Sequence, residues 1–279
     1  MHALFVYTVP ILNDYSFAVG DSTKSLLFHT LYITKVLRLF LELRVHNSEQ
    51  DQTHKECTMR NKNDYPVEVA TNWDNFAKYG EKSTRAFLKQ IANLGGLSIL
   101  DIGCGSGRDM LKYREAGASY IAGMDISVDM LKETKDKGIA DELILGDVSQ
   151  ANQFSREFDI VVSKWALQCV EDYGAVISNI AKLLKPNGAI VLLVTHPLRQ
   201  FLKKKRGSRD YSEKVVVESS LFGGQMFVNE PTHTFSDLLS PEFFKYFNLE
   251  SFEEGNDIGC SEVDGDKYPQ YVLLKAKKK

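Results

Sequence analysis

Leu100-Asp101-Ile102-Gly103-Cys104-Gly105-Ser106-Gly107 is the stretch on which the fold turns. A short apolar run breaks there into three glycines at alternate positions, and residues 106 to 116 then read as a helix. A strand that turns through glycines into a helix start is a nucleotide-cofactor loop. Missing Cβ atoms permit positive φ and close approach, and the helix offers unpaired N–H groups to an anionic group. The spacing narrows the cofactor: a pyrophosphate loop follows G-x-G-x-x-G, whereas Gly103, Gly105 and Gly107 follow G-x-G-x-G, which leads away from NAD.

Two acids lie downstream. Tyr120-Ile-Ala-Gly-Met-Asp125 is an apolar strand ending in a carboxylate, 125 − 103 = 22 residues after the first loop glycine, close to the ~20 of a ribose-binding acid. Leu143-Ile-Leu-Gly-Asp147-Val148 is a second such strand. Either Asp alone also suits a helix N-cap, with Ser127 or Ser149 close behind. From about residue 85 strands and helices alternate: helix to 93, strand 98 to 102, helix 106 to 116, strand 120 to 125, helix 127 to 137, strands 142 to 146 and 158 to 163, helix 171 to 184, strand 189 to 195. Right-handed crossovers of this kind build an α/β doubly wound, mostly parallel sheet, with ligands beyond the strands' C-terminal edges. The glycine loop, Asp125, Asp147, Ser163 and Thr195 all fall on that edge.

These features together resemble the class I S-adenosylmethionine (SAM)-dependent methyltransferases. The octapeptide resembles their motif I. Phe158-Asp-Ile-Val-Val-Ser-Lys-Trp-Ala-Leu-Gln168 and Leu183-Leu-Lys-Pro-Asn-Gly188 resemble the fourth strand and the L-K-P-G-G turn into the fifth, with Asn187 in place of the first glycine. The resemblance implies a seven-stranded Rossmann-like methyltransferase sheet with an antiparallel C-terminal hairpin, from strands near 249 to 254 and 270 to 276. It assigns Asp101, Gly103, Cys104, Gly105 and Gly107 to the methionine end of SAM, Asp125 with Ile126 to the ribose, and Asp147 with the Val148 backbone to adenine. Ser163 and Trp165 would line the gap between cofactor and acceptor. Thr71-Asn-Trp-Asp-Asn-Phe-Ala-Lys-Tyr79 resembles the entry helix, with Tyr79 closing over SAM and Trp73, like Tyr65, near the acceptor.

After Thr195 the alternation stops, and residues 196–247 read as a lid and substrate region, with a hairpin and then a helix within 236 to 247 opened by Ser236 or Ser240. Phe227 to Leu239 with Phe247 to Glu254 resembles the lid of small-molecule methyltransferases of the quinone-biosynthesis branch. His233 takes the lid histidine's position there, with Thr234 where an Arg is usual. His196 and His233, both near the cleft mouth, are the candidate bases, since an imidazole of ordinary pKa ~6.5 can take a proton at neutral pH. Arg199 and Glu230 are candidate substrate contacts.

Residues 1–58 read as a helical appendage and polar linker, or an upstream start, before a methyltransferase domain over 59–279. The 279 residues carry a net charge of −3, which gives no global attraction for nucleic acid. Cys57, Cys104, Cys169 and Cys260 form no C-x-x-C pair, so neither a disulfide framework nor a bound metal is expected, and the setting expected is cytoplasmic. No apolar run reaches the ~18 residues of a membrane span. The reading is therefore an enzyme, monomer or homodimer, that moves the methyl of SAM to an O, N or C nucleophile of a small-molecule acceptor. The alternatives are a nucleic-acid or protein methyltransferase, with Lys203 to Arg206 as its handle, or a SAM-binding regulatory protein without turnover. Ser163-Lys-Trp-Ala in place of an N-P-P-Y stretch disfavours exocyclic-amine enzymes.

Overall fold

A computed structural model describes residues 80–148, 153–204, 210–221, 226–257, 262–263 and 266–279. Two compact units divide the chain, Met1–Met59 and Arg60–Lys279, and every described residue belongs to the second. The appendage over 1–58 and the residues Tyr65, Trp73 and Tyr79 lie outside the described residues.

Helix α1 (Glu81–Gln90) leads into strand β1 (Ser98–Ile102), whose five residues are all buried. The α/β alternation continues through α2 (Arg108–Glu115), β2 (Tyr120–Asp125), α3 (Val128–Asp136), β3 (Glu142–Leu145), β4 (Phe158–Lys164), a 3-10 turn (Leu167–Cys169), α4 (Tyr173–Leu183) and β5 (Leu184–Thr195). The segment beyond β5 holds α5 (Pro197–Leu202), β6 (Val216–Leu221), β7 (Met226–Pro231), α6 (Phe235–Leu238) and α7 (Pro241–Tyr246). The chain then returns to the sheet as β8 (Phe247–Gly255) and β11 (Tyr271–Lys278), separated by the two-residue strands β9 (Glu262–Val263) and β10 (Asp266–Lys267).

The main sheet runs β3-β2-β1-β4-β5-β11-β8. The first five strands are mutually parallel, and β11 is antiparallel to both of its neighbours. The C-terminal strands form the expected antiparallel hairpin at the sheet edge, with β11 paired to β5 and β8 outermost. The position of β11 explains its composition: Val272, Leu273 and Leu274 are fully or almost fully buried on both faces, as a central strand requires. The chain reverses direction across the sheet between β1 and β4, and this switch point opens a crevice at the C-terminal ends of the strands.

Two cores pack on the sheet. On one face Leu100, Val161, Ile190, Leu192, Val272 and Leu274 meet Val176, Ile177 and Ile180 of α4 and Phe243 of α7. On the other Ile99, Ile121, Val162, Leu193 and Leu273 meet Phe87 of α1 with Met110 and Tyr113 of α2. Alternate residues of each strand go to opposite faces, which is why the strands read as unbroken apolar runs.

The helix expected within 236 to 247 is two short helices. Thr234 caps α6, and its hydroxyl and Asp237 form a reciprocal capping box. Ser240 caps α7 with Pro241 in its first turn. Ser236 lies within α6, so of the two expected caps Ser240 is used, and the other falls two residues earlier in the chain. Helix α1 has no cap of its own at Gly80; Asp257, 174 residues away, accepts the Ser83 N–H at 2.8 Å. Asp257→Ala should therefore cost about 1 kcal/mol in urea unfolding, and Asp257→Asn, which keeps an acceptor, much less.

Candidate functional site

The glycine loop is fixed from both sides before any ligand is considered. The Gly103 and Cys104 N–H groups both donate to the Met124 carbonyl at 2.7 and 3.1 Å, which ties the start of the loop to β2. The Thr134 hydroxyl donates to the Gly105 carbonyl at 2.7 Å, and Lys137 Nζ donates to the Ser106 carbonyl at 2.9 Å, both from the side of α3.

The three glycines do different work. A Cβ on Gly103 would stand 2.2 Å from the Ala166 Cβ, and one on Gly107 would stand 2.6 Å from Thr134 Cγ2, so these two glycines make room for protein. Gly105 has φ +55°, and a Cβ there would meet nothing nearer than Met130 Sδ at 4.0 Å. The space its missing side chain leaves is open, which is what close approach of a ligand to the backbone needs. Beside it the Ser106 hydroxyl is buried and has no protein partner. Cys104 is buried within the loop, and burial raises its thiol pKa well above the usual value, so it stays an inert thiol.

Asp125 ends β2 with its carboxylate already oriented. Oδ2 accepts the Gly105 N–H at 2.8 Å and Oδ1 accepts the Ser127 N–H at 2.9 Å. Each oxygen keeps acceptor capacity, so the carboxylate that sets the loop can also face a pair of hydroxyls. Ser127 caps α3, which answers the N-cap alternative: the serine takes that role and Asp125 holds the turn. The half-buried Ile126 stands beside it. The Gly146 N–H donates to the Asp125 carbonyl at 3.0 Å, bringing Asp147 and the buried Val148 to the same rim.

The floor of the crevice belongs to β1 and β4. Asp101 is buried and accepts the Tyr113 hydroxyl at 3.0 Å. Burial and then the neighbouring Asp109 push its pKa up to about 7. The Ser163 hydroxyl, fully buried, donates to the Ile102 carbonyl at 2.8 Å and so locks β4 to the end of β1; its proton is committed to the protein. Lys164 pairs with Asp109 at 2.7 Å and donates to the Thr84 hydroxyl at 2.9 Å, a link that its strand-end position offered and the motifs did not. Trp165 adopts φ +59°, rare for a bulky residue, with its N–H on the Leu193 carbonyl and its ring edge-on to Tyr271. A left-handed tryptophan at the switch point stores backbone strain of about 1–3 kcal/mol.

The segment after β5 closes against the other half of the crevice. His196 is fully buried as the N-cap of α5: its Nδ1 accepts the Leu198 N–H at 3.1 Å and its Nε2 faces Glu254 Oε1 at 2.6 Å. With Nδ1 accepting, Nε2 carries the proton and donates, so both nitrogens are engaged and the ring does a structural task rather than the proton transfer expected of it. His233 is also buried, but neither ring nitrogen has a protein partner. Burial, then the charge of Lys214, hold its pKa below the usual value, so the ring is neutral at pH 7. The Glu230 carboxyl is buried; Thr195 donates to it at 3.3 Å and Gln200 at 3.5 Å, and burial raises its pKa. Arg199 is half-buried on α5.

The crevice thus brings together a loop open over one glycine, an acid oriented at the end of the next strand and a buried polar shelf opposite them. The fold is the Rossmann-like fold of S-adenosylmethionine-dependent methyltransferases. Residues 100–192 match the family described as a methyltransferase domain. Malonyl-[acyl-carrier protein] O-methyltransferase of Pseudescherichia vulneris is 25% identical over 182 residues, 62% of this chain and 72% of that protein. Demethylmenaquinone methyltransferase of Lactococcus lactis subsp. lactis (strain IL1403) is 32% identical over 127 residues, 42% of this chain and 50% of that protein. Among solved structures, an S-adenosylmethionine-dependent methyltransferase from Mesorhizobium loti superposes with a TM-score of 0.54 at 22% identity, over 76% of this chain and 100% of that one. The match spans about half the length of several such relatives. Among the described residues no helix is long and apolar enough to cross a membrane, and no three potential ligands gather for a metal.

Asp101 gives a pH signature. Its folded pKa lies above its ordinary 3.8, so the folded state holds the proton longer, and stability falls as pH rises from there to about 7. Asp101→Asn should raise the melting temperature by on the order of 5 °C at pH 8 and by little near pH 4. Equal shifts at both pH values, read by calorimetry, would contradict the buried-acid account.

Proposed function

We propose that this enzyme methylates a small-molecule acceptor at an O, N or C nucleophile, and that it holds SAM across β1, β2 and β3. The observation that carries the cofactor side is the open cradle over Gly105, flanked by a pre-oriented Asp125. When bound, SAM supplies an activated methyl on a sulfonium, whose departure leaves a neutral thioether and needs no acid. The protein's task is then alignment and exclusion of water, which together account for ~7 kcal/mol or more of barrier reduction.

In this reading Gly105 and Cys104 approach the methionine part, with Asp101 below its ammonium. Asp125 and Ile126 take the ribose, and Asp147 and the Val148 backbone take adenine. Ser163 and Trp165 shape the gap rather than donate to it. Tyr79 and Trp73 are carried from the entry-helix resemblance as cover for cofactor and acceptor. Residues 196–247 act as the lid: Gln200, Glu230 and His233 are all buried, with Glu230 beside Thr195 at the end of β5. Arg199 and Glu230 contact or orient the acceptor, and His233, not His196, is the group available to it. The relatives' names support a small acceptor group, one naming a malonyl group on acyl-carrier protein and another demethylmenaquinone. We further assign residues 1–58 as an appendage to a domain over 59–279, working in the cytoplasm as a monomer or homodimer, as the two unpaired described cysteines, Cys104 and Cys169, support for a reducing setting.

Methyl-labelled SAM incubated with the full chain and a small-molecule extract should put label into low-molecular-weight product; label only in nucleic acid or protein overturns the acceptor class. Tight S-adenosylhomocysteine binding with no transfer at all would make the chain a binder without turnover. Asp125→Ala and Gly105→Val should each weaken S-adenosylhomocysteine binding at least tenfold by calorimetry, roughly the loss expected for a charged hydrogen-bond acceptor. Wild-type affinity in either variant removes that residue from the cofactor site. His233→Ala should lower turnover more than cofactor affinity.

A further inference from the structure

Three buried side chains on the acceptor side have polar atoms with no protein partner: Gln168 Oε1, the Tyr173 hydroxyl, and both ring nitrogens of His233. Each residue is at most 5% exposed. An unpartnered buried polar atom costs roughly 1–3 kcal/mol, and native proteins keep few of them. Here the three residues lie on neighbouring elements. Gln168 is in the 3-10 turn that follows β4, Tyr173 opens α4, and His233 follows β7. The Tyr173 and His233 rings pack edge to face with centroids 4.9 Å apart. The backbone carbonyls of Gln168 and Val170 approach the His233 ring without meeting hydrogen-bond geometry.

We propose that Gln168, Tyr173 and His233 form an acceptor-anchoring site for an uncharged hydroxyl, of the phenol or enol type, rather than for an anion. This rests on the reading of the chain as a small-molecule methyltransferase. The donor and acceptor pattern fits a hydroxyl: Gln168 Oε1 accepts, the tyrosine hydroxyl gives or takes, and a neutral imidazole offers one of each. The charges around it disfavour an anion. Glu230 is close enough to Cys169, in the same turn as Gln168, to raise that thiol's pKa further after burial. Lys203, whose charge acts on Glu230, donates to Ser219 at 2.6 Å, and Lys214, whose charge acts on His233, is paired with Asp237. An anionic group buried here would meet the Glu230 carboxyl, and the burial of a charge is costly without a partner.

The test uses the full chain saturated with S-adenosylhomocysteine, with phenol and benzoate as probes followed by NMR, and the variants Tyr173→Phe and Gln168→Leu. Both variants remove an unpartnered polar atom without emptying the core, so both should melt above wild type while binding phenol at least about tenfold more weakly. S-Adenosylhomocysteine affinity should not move. Phenol should bind wild type and benzoate should not. Benzoate binding in preference to phenol, binding of neither, or lower melting of both variants overturns the proposal. Failure of wild type to bind S-adenosylhomocysteine would instead overturn the methyltransferase reading beneath it.

Discussion

The rest of the site depends on one carboxylate. Asp125 ends β2, and its two oxygens accept the N–H of Gly105 in the glycine loop and the N–H of Ser127 at the start of α3. The loop, the strand end and the helix start are thereby held in one arrangement. The carboxylate acts with the loop's other anchors, the Met124 carbonyl on one side and Thr134 and Lys137 on the other. A charged acceptor on backbone N–H groups is among the stronger hydrogen bonds available, and here it fixes the geometry of a loop that has few side chains to fix it.

Across the crevice the chain uses the opposite strategy. Among the described residues, the side built by the glycine loop and β2 leaves only the Ser106 hydroxyl buried without a protein partner, whereas the side built by the 3-10 turn, α4 and the end of β7 leaves several such atoms. Trp165, strained at φ +59°, marks the boundary between the two. Strain and unpaired groups both lower stability, and they persist where the surrounding sheet is strong enough to hold them. The sheet is strong there: β4 and β5 are buried on both faces by the two cores.

Local signals carried much of this in the sequence. The glycine loop, the acids at 125 and 147, and the alternation from β1 to β5 could be read because each is encoded by neighbours within a few residues. What could not be read depends on long-range pairing. The place of β11 between β5 and β8 needs knowledge of which edge it joins, and the cap on α1 comes from Asp257 at the far end of the chain. The two histidines looked alike as residues near a cleft mouth. Only packing separates them: Glu254 and the Leu198 N–H occupy His196, while His233 is left with unused nitrogens. Likewise the spacing of the three glycines showed a tight loop but not that two of them yield to Ala166 and Thr134. Tyr173 carried no motif and Gln168 only closed the fourth-strand stretch, because an unsatisfied atom is a property of its surroundings.

The interior place of β11 also bears on how the molecule is made. During synthesis β5 emerges with one parallel neighbour and an open flank, and the strand that seals that flank is the last of the sheet to leave the ribosome. Until then a long apolar edge is available to any other nascent chain, a hazard that partly formed sheets present generally. Completion of the sheet therefore waits for residues 271–278, and a chain cut short before Tyr271 leaves that edge of β5 open to other strands.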